Sequence, residues 1–195
     1  MATLFVDKID PQSGTALEIG SSGDTITIPS GATIVNSGTQ TGFGGTNTPA
    51  FFAYLNADQT GIGDATTAKI QVNTEIYDTD SCYDNSTNYR FTPTVAGKYL
   101  FHAQVTISSE ANSNGSLFDL YVYKNGSLTS QSTTNANTNY LRETTQNLNV
   151  IFDANGSTDY FEMYAYGNTV SGGTWTAKGF SGRYRTYFGA YKIIT

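Results

Sequence analysis

Apolar and polar residues alternate with a period of two along most of this chain. In KIQVNTEIYD, residues 69–78, Ile70, Val72, Thr74 and Ile76 share one side, and GKYLFHAQVTIS, residues 97–108, reads as a longer apolar strand. PAFFAYLNA (49–57), LFDLYVYKNGS (117–127) and RYRTYFGAYKII (183–194) read the same way. QNLNVIFDANGSTDYFEMYAYG (146–167) reads as two strands around Asn155-Gly156. Asn125-Gly126 is a strong hairpin signal, because both residues tolerate positive φ. No apolar period of 3.6 residues persists beyond two turns, so helices are not expected. About eight or more strands in this region predict a two-sheet jelly roll or sandwich.

Residues 1–48 have another texture. A short apolar stretch, Leu4-Phe5-Val6 with Ile9, is broken by Asp10-Pro11, since a residue before proline avoids the helical region. Leu17 and Ile19, then Ile26 and Ile28, then Ile34 recur every eight or nine residues between Gly20, Gly23, Pro29-Ser30-Gly31 and Gly38. Very short strands of this kind bury an apolar face only by stacking on neighbours or on other copies of the chain. TGFGGTNT (41–48) reads as a hinge. The expected organisation is therefore an arm and short β shaft over 1–48 and a globular head over 49–195.

Composition narrows the function classes. Only 13% of residues are charged and the formal net charge is −6. No basic cluster exists to meet phosphates, which argues against nucleic acid and anionic membranes as partners. No apolar run approaches the roughly 20 residues of a membrane-spanning helix. MATLFVDKID lacks the basic start and apolar core of a secretory signal, so synthesis in the cytoplasm is expected. The single cysteine, Cys82, excludes an intrachain disulfide and any Cys-rich metal site.

From Asp78 to Phe101 the spacing of Asp78, Tyr83, Phe91, Gly97, Tyr99 and Phe101 resembles the signature of the globular head of complement's first-component q subunit. That head is a jelly roll shared in outline with tumour necrosis factor. LYVYKNGS resembles its central strand and TYFGAYKI its terminal strand, so the resemblance spans about residues 49–195. It departs at Ala103 and Val72, where the pattern has aromatics, and by one extra residue between Tyr83 and Phe91. The resemblance implies a homotrimer, with Tyr99, Phe101, Tyr187 and Tyr191 in the core or at the subunit interface. The start FVDKIDPQSGT followed by SGDTITIPSGATI is similar to the N-termini of fibre proteins of marine tailed bacteriophages, including those of cyanobacteria. It implies a virion anchor at Leu4, Phe5, Val6 and Ile9, held by another virion protein.

Candidate chemistry is sparse. His102, the lone histidine, lies in an apolar strand and is expected to be a hydrogen-bonded core residue. Cys82 stands among carboxylates without basic neighbours, which disfavours the reactive thiolate. Asp78, Asp80 and Asp84 place oxygen ligands close together, a calcium candidate weighed against a solvated loop of Asx turns. No catalytic site and no cofactor are expected. Receptor contact is expected on loops 131–146 and 168–182, where Tyr140, Arg142 and Trp175 are the anchor candidates, Trp175 against the alternative of a core tryptophan. The leading expectation is a trimeric virion or tail fibre that binds a host-surface glycan or protein. The alternatives are a capsid-surface decoration fibre and a bacterial lectin-like adhesin or carbohydrate-binding module.

Overall fold

A computed structural model of the chain describes residues 9, 11–38, 47–109, 114–137, 140–170 and 172–193. The chain divides into two units, Met1–Gly44 and Gly45–Thr195. Among the described residues there is no helix, and all thirteen strands lie in the second unit.

The strands form two antiparallel sheets. Sheet A contains β1 (Ala50–Tyr54), β2 (Gln59–Gly63), β4 (Thr74–Asp78), β7 (Gly97–Ser108), β10 (Glu143–Ala154), β12 (Thr174–Ala177) and β13 (Tyr187–Lys192). Its central strip runs β10-β7-β13-β1-β4, and β12 and β2 extend it beyond the end of β7. Sheet B contains β3 (Thr66–Lys69), β5 (Tyr83–Asp84), β6 (Arg90–Phe91), β8 (Gly115–Lys124), β9 (Ser127–Asn135) and β11 (Phe161–Thr169). Its order is β5-β6-β11-β8-β9, with β3 also paired to β11. The fold is an all-β jelly roll.

Alternation decides what each strand buries, because successive side chains point to opposite faces of a sheet. Along β7, Tyr99, Phe101, Ala103 and Val105 enter the core, while Leu100, His102 and Gln104 face outward. Sheet B answers with Phe91, Phe118, Leu120, Phe161 and Met163. The two layers interlock through rings. Phe51 stacks on Tyr83 at 4.5 Å and on Phe91 at 4.6 Å and meets Phe188 edge-on at 5.2 Å. Phe101 lies 4.4 Å from Phe161 across the intersheet space. Offset and edge contacts of this kind add about 0.5–1.5 kcal/mol each beyond area burial. Deep burial also pushes the Tyr99 hydroxyl up to about 12.

One expected strand behaves differently from its sequence pattern. The run 69–78 is not one strand. It ends β3 at Lys69, turns through a bond from the Val72 N–H to the Ile70 carbonyl, and resumes as β4 in the other sheet. Ile70 and Val72 are buried in the corner. Asn125-Gly126 closes the β8–β9 hairpin with both residues at positive φ, as the turn chemistry predicts. Asn155-Gly156 instead carries the chain from sheet A to sheet B. There the Asn155 side-chain oxygen accepts the N–H groups of Ser157, Thr158 and Asp159.

The first unit has turns but no β ladder among its described residues. The Asp24 N–H donates to the Ser21 carbonyl at 3.0 Å, and the Ala32 N–H donates to that of Pro29 at 3.1 Å. These two turns repeat eight residues apart. Leu17, Ile19, Ile26, Ile28 and Ile34 are all exposed, and the short strands expected there do not form among the described residues. Ile9 is exposed as well; Leu4, Phe5 and Val6 lie outside the described residues.

Candidate functional site

The outward face of sheet A is aromatic. Pairing places it in three rows across β10, β7, β13 and β1. The first row holds Ile151, Leu100, Tyr191 and Ala50. The second holds Asn149, His102, Gly189 and Phe52, and reaches Tyr77 on β4. The third holds Asn147, Gln104, Tyr187 and Tyr54. Phe52 is the hub, within 5.3–5.6 Å of Tyr187, Tyr184 and His102 and 6.4 Å of Tyr77. Tyr184, in the turn before β13, covers Tyr54 edge-on at 5.1 Å.

These rings are packed on one another yet still open to solvent. Tyr184 is 49% exposed, Tyr77 43% and Ile151 54%. Asn147, Asn149 and Gln104 border the rings, and a partly exposed ring cluster of this kind is a candidate for an interaction surface. His102 has its place because Gly189, directly opposite on β13, has no Cβ; a methyl group there collides with the imidazole. Burial among rings lowers the His102 pKa below its usual 6.5. The expectation of a core histidine is therefore corrected: alternation along β7 assigns the core to Tyr99 and Phe101 and turns His102 to the outer face.

The outward face of sheet B is built otherwise. Tyr121 and Tyr123 on β8 stand beside Tyr164 and Tyr166 on β11. Tyr123 stacks on Tyr164 at 4.4 Å. Lys69 on β3 sits over the Tyr164 ring at 5.6 Å and pairs with Glu162 at 2.7 Å. Asp119, opposite Tyr166 and Thr133, is buried. Its Oδ2 accepts the Tyr121 hydroxyl at 2.7 Å, and its Oδ1 has no partner. Burial and then the Asp119 carboxylate raise the Tyr121 pKa, and burial and then Glu162 raise that of Tyr164. Burial lowers the Lys69 pKa, but the Glu162 and Tyr164 contacts together outweigh it and leave a net rise.

The sequence candidates separate on the structure. Tyr99 and Phe101 are fully buried, whereas Tyr187 and Tyr191 lie on the outward face of sheet A. Tyr140 and Arg142 are exposed. Trp175 is not a receptor-loop residue. It is fully buried on β12 against β11, where a Cβ at Gly167 would stand 2.6 Å from the indole. Two of the calcium candidates organise turns, as in the Asx-turn alternative. Asp78 accepts the N–H groups of Cys82 and Tyr83, and Asp84 accepts those of Ser86, Thr87 and Asn88. These donors, the Thr87 N–H foremost, hold the Asp84 pKa far below the usual carboxylate range. Among the described residues no three metal-ligating side chains gather. The four tyrosines of sheet B were missed, although Tyr-x-Tyr occurs in both LYVYK and MYAYG. That pattern places two rings on one face of each strand.

No family profile matches the sequence, and no curated protein is similar to it. Similarity appears in shape. The chain is similar to murine APRIL, with a TM-score of 0.53 and 10% identity over 74% of this chain and 98% of that one. It is also similar to Eiger, a tumour necrosis factor from S. frugiperda, with a TM-score of 0.51 and 9% identity over 74% of this chain and 91% of that one. The head is thus a jelly roll of the tumour necrosis factor type, the fold expected from the Asp78–Phe101 signature.

Proposed function

We propose that the protein is a homotrimeric virion fibre: its N-terminal arm fastens to another virion protein and its jelly-roll head meets the host surface. The observation that carries this reading is the aromatic outward face of sheet A. Phe52 and Tyr187 are half-buried and Tyr184 is exposed, so the cluster leaves unrealised part of the about 1.5–3 kcal/mol that full burial of each large side chain contributes. Covering it with identical copies about a closed axis satisfies every chain equally. The arm supports the same reading, because Leu17, Ile19, Ile26, Ile28 and Ile34 are exposed in the single chain and winding three copies together would cover them. No catalytic role is assigned, and the protein is made in the host cytoplasm before it reaches the particle.

The test is localisation. Antibody against the head, gold-labelled and viewed on purified particles, is expected to decorate regular positions on each virion. Leu4→Ser with Phe5→Ser is expected to leave the free trimer intact and strip the label from particles. Particles that lack the protein altogether contradict the reading and favour a free lectin-like adhesin.

A further inference from the structure

We infer that the outward face of sheet B is a binding site for a neutral glycan, with the tyrosine pairs as the stacking platform and Asp119 as the hydroxyl acceptor. This inference deepens the reading of a host-binding head. It moves the contact from the loops at Tyr140 and Arg142 to a flat sheet face.

The argument starts from Asp119. A carboxylate in the middle of a sheet face is costly to desolvate, and one without a full set of donors is costlier. Here Oδ2 has one donor, the Tyr121 hydroxyl, and the buried Oδ1 has none. The rings around it are tyrosines, whose hydroxyls leave the aromatic planes apolar and the rim polar. Gln131 and Thr133 on β9 flank Tyr121 and Asp119, and Thr67 on β3 flanks Tyr166. The face therefore offers flat apolar area interleaved with donors and acceptors at strand spacing. A sugar ring presents the matching surface: C–H groups on one side and hydroxyl donors around the edge.

Charge selects among sugars. Asp119, Glu162 and Asp84 face this side with Lys69 and Arg90 against them; Lys69 is already paired with Glu162, and Arg90 stands opposite both Glu162 and Asp84. The net sign is negative, as it is for the whole chain. A sialylated or sulfated glycan meets repulsion here, and a neutral hexose or N-acetylhexosamine chain does not. The face is also unlike the outward face of sheet A, where Asn147, Asn149, Gln104 and His102 border the rings but no buried carboxylate stands on it among the described residues, so the two surfaces need not compete.

The experiment applies the full-length chain to an array of neutral oligosaccharides printed beside their sialylated and sulfated forms. The strongest neutral binder is then titrated calorimetrically. Retention of neutral glycans is expected. Affinity is expected to fall roughly tenfold or more in Tyr164→Ala, a central aromatic anchor. Asp119→Asn and Tyr121→Phe are expected to weaken binding with the solution mass unchanged. Tyr121→Phe removes the one donor to Asp119 and lowers the melting temperature without unfolding the chain at about 25 °C, which keeps the test open if Asp119→Asn fails to fold. No retained neutral glycan, a preference for acidic glycans, or affinity that survives Tyr164→Ala with Tyr121→Phe overturns the inference. The solution mass is read separately, so loss of the trimer reading and loss of the glycan reading are told apart.

Discussion

The outer surfaces of the two sheets are made from the same residue type to different ends. On sheet A, Tyr77, Tyr184 and Tyr187 gather around Phe52, and Tyr191 lies against His102 with Leu100 and Ile151 in its row. On sheet B, Tyr121, Tyr123, Tyr164 and Tyr166 gather around Asp119, Glu162 and Lys69. A ring set among apolar neighbours gains most by excluding water and suits another copy of the protein. A ring set among carboxylates and amides keeps its rim wet and suits a polar ligand. Aromatic content alone does not distinguish the two; the neighbours contributed by adjacent strands do.

The largest effects come from mistaking one face for another. Phe52→Glu puts a charge at the hub of the sheet A surface, and the assembled species is expected to vanish in sedimentation while the far-ultraviolet spectrum is unchanged. Phe101→Ala, on the opposite side of the same sheet, is expected to cost the fold about 3–5 kcal/mol in urea unfolding. A Phe52 variant that unfolds, or a Phe101 variant that merely dissociates, breaks the division between inner and outer faces.

A smaller effect tests the seat of His102. Gly189→Ala drives a methyl group into the imidazole, with an expected loss of about 1–3 kcal/mol in thermal or denaturant melts. The pH dependence is smaller again. Burial lowers the folded pKa of His102, so below about 6.5 the unfolded chain takes up the proton first. Stability therefore falls as pH drops from 6.5 toward the folded value. His102→Gln is expected to flatten the melting temperature between pH 7 and 5. Retained slope in that variant assigns the effect to other groups.

Much of the fold was legible because period-two alternation survives wherever one side of a strand is buried. GKYLFHAQVTIS delimits β7 to the residue, and Asn125-Gly126 turns where its chemistry predicts. Alternation does not say which of two aromatic sides is inner. Tyr99 and Tyr191 look alike in sequence, yet one is core and the other surface. The break after Lys69 was hidden because Ile70 and Val72 stay buried while the chain changes sheets. Loop anchor and core tryptophan are equally open for Trp175 in the sequence, because its burial depends on Gly167, set against it by the packing of β12 on β11. The Asp119 site was illegible for a similar reason: it forms only when β8 and β11 pair in register.

The most direct test of the central claim, that the sheet A face joins copies of the chain, is the solution mass of the full-length protein by light scattering. Three chains of 21.0 kDa give about 63 kDa, the expected result, and it should persist on dilution. A mass of one chain, with Phe52 and Tyr187 open to solvent and the head still folded, contradicts the account.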